Sequence, residues 1–89
     1  MIKQELIINN KLGLHTRAAS KVVNLTSKYL SDITIECNNN LVDAKSIIGL
    51  LTLAATKGCI ITVTVNGSDE EELFEKFKKL INANFDDPE

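Results

Sequence analysis

His15 is the single histidine of the chain and stands in the run GLHTRAAS, residues 13–20, just after a glycine and where a helical repeat begins. A helix start carries backbone N–H groups with no carbonyl one turn back and the positive end of the macrodipole, and both favour an anion. A neutral imidazole gains little from that position itself. Taken alone, such a histidine is either structural or a nucleophile placed to meet an anion. The second residue of interest is Ser46, which opens the apolar run IIGLLTLAA. Its plainest role is an N-cap, its hydroxyl accepting an N–H of the helix that follows.

The two cysteines, Cys37 and Cys59, are 22 positions apart, with no C-x-x-C pair and no second histidine, so they match no metal-ligand spacing. They read as two small apolar residues buried in a reducing compartment. Net charge is −2, unevenly spread: residues 1–68 carry 7 Lys or Arg against 4 Asp or Glu, and residues 69–89 carry 3 against 8. The positive balance around Lys11, Arg17, Lys21, Lys28, Lys45 and Lys57 suits acidic protein partners. Without a basic cluster or interleaved aromatics, nucleic acid is not an expected partner.

These residues must be positioned by a single core. Eighty-nine residues make one domain, 1–89, burying roughly 60–65% of the surface of the unfolded chain. The N-terminus MIKQELII has no signal-peptide or transit-peptide character and no apolar run approaches membrane-spanning length, so a cytoplasmic protein away from membranes is expected.

Residues 2–8 read as a strand closed by the turn-prone pair Asn9-Asn10. From Thr16 to about Ser27, Ala18, Ala19, Val22, Val23 and Leu25 recur at helical spacing, with Lys21, Asn24 and Lys28 on the other face. Asp32 to Cys37 alternates, meets Asn38-Asn39-Asn40, and returns through Leu41 to Asp43 as a hairpin. The run after Ser46 is a short helix, weakened at Gly49 and expected to leave near Lys57-Gly58 with glycine as its C′ residue. Cys59 to Val65 is β-branched almost throughout and reads as a central strand. Ser68 with Glu71 forms a capping box before a helix whose buried stripe is Leu73, Phe74, Phe77, Leu80 and Ile81. Glu72–Lys76 and Glu75–Lys79 are spaced as i,i+4 pairs. The order β-α-β-β-α-β-α is best satisfied by an α+β fold with helices on one face of a sheet and solvent on the other.

The segments KLGLHTRAA around His15 and DAKSIIGLLTLAATKG around Ser46 resemble those of the HPr family, histidine-containing phosphocarriers of the bacterial phosphoenolpyruvate-dependent phosphotransferase system, and the resemblance covers essentially the whole chain. It implies an open-faced β-sandwich, a four-stranded antiparallel sheet with three helices on one face. It implies that the Nδ1 atom of His15 takes a phosphoryl group from phosphorylated enzyme I and passes it to a histidine or cysteine of an enzyme IIA- or IIB-type acceptor. The resemblance further implies that Arg17 attends that group, and the first-turn amides of Thr16, Arg17 and Ala18 would bind it. No metal and no cofactor beyond the phosphoryl group itself is implied, and the carrier is expected to be a monomer, a transfer component rather than a stand-alone enzyme.

The docking surface implied by the resemblance comprises Thr16, Ser20, Ile47, Ile48 and Leu51, with Ile47 and Leu51 facing outward. Ser46 matches the serine that HPr kinase/phosphorylase modifies in some members. The sequence departs from the family's commoner run at Thr16, where alanine stands more often, and at Ala18, where proline does. Proline would pre-set φ in the first turn, so Ala18 restores an N–H at the expense of rigidity, and Thr16 offers a hydroxyl to cap the helix or touch phosphate. Two related readings stay open: the nitrogen-related branch, which the acidic extension from Asn84 to Glu89 resembles, and a regulatory binding module controlled through Ser46. An unrelated small α/β domain with a structural histidine would take up no phosphoryl group.

Overall fold

The computed structural model describes residues 1–53 and 55–86. Four strands, β1 (Ile2–Ile7), β2 (Asp32–Cys37), β3 (Asn40–Asp43) and β4 (Ile60–Asn66), and three helices, α1 (Thr16–Thr26), α2 (Ile47–Leu53) and α3 (Glu70–Asn82), follow one another in the order β1-α1-β2-β3-α2-β4-α3. A 3-10 turn, Asn84–Asp86, follows α3. The sheet order is β1-β4-β2-β3 and every neighbouring pair is antiparallel. β4 is thus an interior strand, as its β-branched composition predicts.

Register sorts the two faces of the sheet, because side chains alternate along a strand. Leu6 lies opposite Ile61, and Val63 and Val65 lie opposite Ile35 and Ile33; these residues and Cys37 are buried beneath the helices. The alternate positions carry Lys3, Glu5, Thr34, Glu36, Thr62 and Thr64, paired with one another across the strands, and they face solvent. This is the open-faced α+β arrangement expected from the sequence. The helical layer contributes Ala18, Ala19 and Val22 from α1, Leu50 and Leu53 from α2, and Leu73, Phe74, Phe77 and Ile81 from α3, all buried. Leu80 is only partly buried against this cluster. The β2–β3 hairpin turns through Asn38 and Asn39 with φ of 53° and 68°, the left-handed angles that asparagine tolerates best after glycine.

Four local expectations are corrected by tertiary contacts. First, α3 begins one residue later than the Ser68 capping box requires: its N-cap is Asp69, without a side-chain cap. The Asp69 carboxylate is taken by the Ser31 hydroxyl and by the N–H groups of Leu30 and Ser31. Those hydrogen bonds, the one from the Ser31 hydroxyl foremost, hold its carboxyl below the usual carboxylate range. Glu70 accepts the Gly67 N–H at 3.1 Å and pairs with the N-terminal ammonium at 2.8 Å; that ammonium contact, then the Gly67 bond, lowers its pKa also.

Second, Glu72 accepts the Tyr29 hydroxyl at 2.8 Å, which raises the tyrosine above its ordinary value. Lys76 and Lys79 form no ion pair with a described residue, so the i,i+4 pairs are not made. Third, α2 does not reach Gly58. Ala55 lies outside the helix and its carbonyl accepts the N–H of Leu14 at 2.9 Å. Gly58, at φ +89°, belongs instead to a turn that returns its N–H to the Ile8 carbonyl at 2.7 Å.

Fourth, Cys37 and Cys59 are not two separate thiols. They are joined as a disulfide. β2 and β4 are sheet neighbours, so the end of one strand lies beside the entry to the other, a proximity that a separation of 22 residues conceals. Of the acidic extension, Asn84–Asp86 forms the final turn and sets Phe85 fully in the core, where the Lys21 ammonium reaches its carbonyl at 2.6 Å; residues 87–89 lie outside the described residues.

Candidate phosphoryl-transfer site

The loop from Ile8 to His15 decides where the histidine points. Asn10 is fully buried, and its side-chain amide donates to the Gly13 carbonyl at 2.6 Å while its own carbonyl accepts the Gly13 N–H at 3.1 Å. Gly13 stands at φ +66°, and a Cβ there would lie 2.4 Å from the Ala55 oxygen and 2.9 Å from the Thr56 Cα. Only glycine satisfies both the left-handed angle and that approach. Leu14, buried, is held on the same wall by its bond to Ala55. His15 follows, its N–H donating to the Gly13 carbonyl at 3.0 Å.

His15 is the N-cap of α1, with extended backbone (φ −84°, ψ 179°) and no side-chain cap bond. Its ring is therefore not spent on closing the helix. Its carbonyl accepts the first rung, from Ala19 N–H at 2.8 Å. The N–H groups of Thr16, Arg17 and Ala18 thus precede that rung, in the first turn where an anion is favoured. His15 is half-buried and Thr16 and Arg17 are exposed, so the mouth of the helix is open to a partner. Ala18 lies fully buried against the core. Thr16 is the first helical residue rather than the cap, so its hydroxyl is not the helix cap that the sequence allowed.

α1 and α2 lie antiparallel. The Thr26 hydroxyl near the end of α1 reaches the Ala44 carbonyl at 3.0 Å ahead of α2, and Leu14 ahead of α1 reaches Ala55 beyond the end of α2. This brings the C-terminal part of α2 beside the histidine. Ile47 and Leu51 are each 38% exposed and Ile48 75%, so the three apolar residues of the five expected for docking stand at the surface. Ser20 is half-buried. The Ser46 hydroxyl accepts the Gly49 N–H at 3.1 Å, capping α2, and the Ser46 carbonyl accepts Leu50 N–H at 3.0 Å. The structure thus gathers His15, Thr16, Arg17 and the first-turn amides at one helix mouth and sets Ser46 at the far end of the neighbouring helix.

The chain matches, over residues 2–83, a family described as the PTS HPr component phosphorylation site. The chain belongs to the HPr family. Relatives include the phosphocarrier protein HPr of Neisseria meningitidis, 42% identical over 89 residues with both chains covered fully. The HPr of Xylella fastidiosa is 40% identical over 87 residues, covering 98% of each chain. Among solved structures, an HPr from Thermoanaerobacter tengcongensis superposes with a TM-score of 0.94 at 36% identity over the whole of both chains. An HPr from Bacillus anthracis does so with a TM-score of 0.85 at 35% identity, covering 90% of this chain and 95% of the other. The α+β fold read from the sequence is the HPr fold.

Two contributors to this HPr site were not singled out from the sequence. Asn10 was legible only as half of a turn-prone pair, and its burial follows from the Gly13 loop folding over it. The Ala55 carbonyl carries no side-chain signal at all. Among the described residues no helix is long and apolar enough to cross a membrane.

Proposed function

We propose that this HPr-family chain is a phosphocarrier in which His15 is the acceptor and donor of the phosphoryl group. The observation that carries the reading is the placement of a half-buried imidazole at the mouth of α1, beside the N–H groups of its first turn. A ring nitrogen lone pair attacks the phosphorus of the phosphorylated donor, and the bond from phosphorus to the donor's own residue breaks as the new N–P bond forms. For the forward step the donor is enzyme I; for the second step the acceptor is an enzyme IIA-type protein, and the N–P bond of His15 breaks in turn. The transition state asks for alignment and charge stabilisation more than for proton chemistry. The amides of Thr16, Arg17 and Ala18 and the Arg17 guanidinium supply donors on the protein side. An exposed site holds phosphate without sealing it, as a group that must be handed on requires. Soluble cytoplasmic action fits these partners.

Arg17→Ala should leave thermal stability nearly unchanged, since the side chain is exposed, while slowing transfer from enzyme I by about 100- to 1,000-fold, the range for removing one donor at a developing anionic centre. Stopped-flow measurement of phosphoryl uptake checks this, and an unchanged rate removes Arg17 from the reading.

Ser46 adds regulation to the same surface. Phosphorylation there by HPr kinase would place about −1.5 to −2 charges next to Ile47 and disturb the cap on Gly49, weakening attachment to an acidic face of enzyme I. Incubation with that kinase and ATP should give a phosphopeptide containing Ser46 and slower uptake at His15. No incorporation at Ser46 contradicts this part of the reading and leaves the carrier role standing.

A further inference from the structure

The Cys37–Cys59 pair is remote from the chemistry of His15 along the chain, yet it is tied to the histidine's own loop through a short series of contacts. Cys59 N–H donates to the Thr56 carbonyl at 3.0 Å, and the Cys59 carbonyl accepts Ile8 N–H at 2.9 Å. Thr56 and Ala55 form the wall against which Gly13 is pressed, with no room for a Cβ, and Ala55 holds Leu14. The other sulfur, on Cys37, is anchored in the sheet and 2% exposed. The disulfide therefore fastens the segment 55–59, which carries the wall of the site, to a rigid strand. The segment enclosed between the cysteines also contains Ser46 and all of α2.

We propose that Cys37 and Cys59 are a redox-responsive modification site that sets how firmly the Gly13–His15 loop is held, and hence how fast His15 accepts a phosphoryl group; the consequence for transfer rests on the phosphocarrier reading. Access favours exchange at one sulfur. Cys59 is half-buried and lies at the rim of an open hollow of about 480 Å3 lined by Asn38, Thr56, Lys57, Gly58, Cys59 and Ile60, whereas Cys37 lies inside. The reductant is a dithiol. One of its thiolates attacks Cys59 Sγ, breaking the S–S bond and leaving Cys37 as a thiolate that takes a proton. The second thiolate then attacks the dithiol's own sulfur in the mixed disulfide and releases Cys59 as a thiolate, which is protonated. Two electrons pass to the protein and the dithiol leaves as a disulfide; a small-molecule disulfide reverses the sequence. In a compartment where thiols are normally kept reduced, a protein disulfide that does form is characteristically transient or sensing rather than structural.

The test uses the full-length chain equilibrated in dithiol–disulfide buffers, with free thiols trapped by a maleimide and counted by mass. Two thiols should appear on reduction. The uptake rate from enzyme I and phosphoenolpyruvate should fall by about three- to tenfold as the loop loses its fastening, in line with the sensitivity of transfer to small misplacements, and the Leu14 amide should exchange faster. The double variant Cys37→Ala, Cys59→Ala should match the reduced protein in every buffer, which separates the effect from any action of the reductant on enzyme I. Two free thiols persisting in the most oxidising buffer overturn the proposal, as do equal uptake rates with equal Leu14 exchange in both states. If no form takes up phosphate, the carrier reading fails, and Leu14 exchange alone then decides: faster in the reduced protein upholds the coupling, unchanged overturns it.

Discussion

His15→Ala should abolish the acid-labile, base-stable phosphorylation of this chain by enzyme I and phosphoenolpyruvate while leaving the fold within about 1 kcal/mol of the parent. The two halves of that expectation come from different features. Loss of the label follows because the ring nitrogen is the atom that attacks phosphorus, and no other histidine exists to replace it. The small change in stability follows because His15 makes no side-chain cap bond to α1 and is only half-buried, so alanine removes no helix cap and no fully buried side chain. The check is labelling with radioactive phosphoenolpyruvate followed by acid and base washes, alongside a thermal melt. Label that survives in the variant refutes the assignment of the nucleophile. Label lost together with the fold would mean that the histidine is a structural residue.

Gly13→Ala should be the opposite kind of variant, losing function through structure. The added methyl meets the Ala55 oxygen at 2.4 Å and the Thr56 Cα at 2.9 Å, both backbone atoms that cannot swing away. The residue must also keep φ near +66°, a region that alanine occupies at a cost. Together these should destabilise the protein by about 2–4 kcal/mol, lowering Tm by on the order of 10–20 °C for a domain of this size. At temperatures where the variant is still folded, uptake at His15 should remain slow, because Gly13 accepts the histidine's own N–H. Urea denaturation and transfer kinetics on the same sample check both effects. A variant with parental stability and rate would show that the Gly13–Ala55 contact does not position the site.

Much of the arrangement was legible because periodicity reports burial directly. The alternation in β2 and the 3.6-residue repeat in α1 and α3 marked the inward face of those elements, the β-branched run of β4 marked an interior strand, and the element order implied a sheet covered on one face. The position of His15 at a helix start was readable for the same reason. What escaped the sequence depends on partners far along the chain. Ser68 and Glu71 have the spacing of a capping box, but Ser31, 38 residues from Asp69, draws that carboxylate instead and shifts the helix start. The apolar run after Ser46 gives no mark of where α2 stops, since Leu53 inside the helix and Ala55 outside it are both buried, and the bond from Leu14 to the Ala55 carbonyl comes from far along the chain. The cysteines have no motif between them and meet only because β4 is inserted between β1 and β2.

The central claim is that one imidazole at the mouth of α1 carries phosphate in transit, and the most direct measurement is the intact mass of the chain after mixing with enzyme I and phosphoenolpyruvate, followed by mapping of the modified segment. The account predicts a gain of one phosphoryl group, located at His15 and removed by acid or by an enzyme IIA-type acceptor. No gain in mass, or a gain located at another residue, would contradict it.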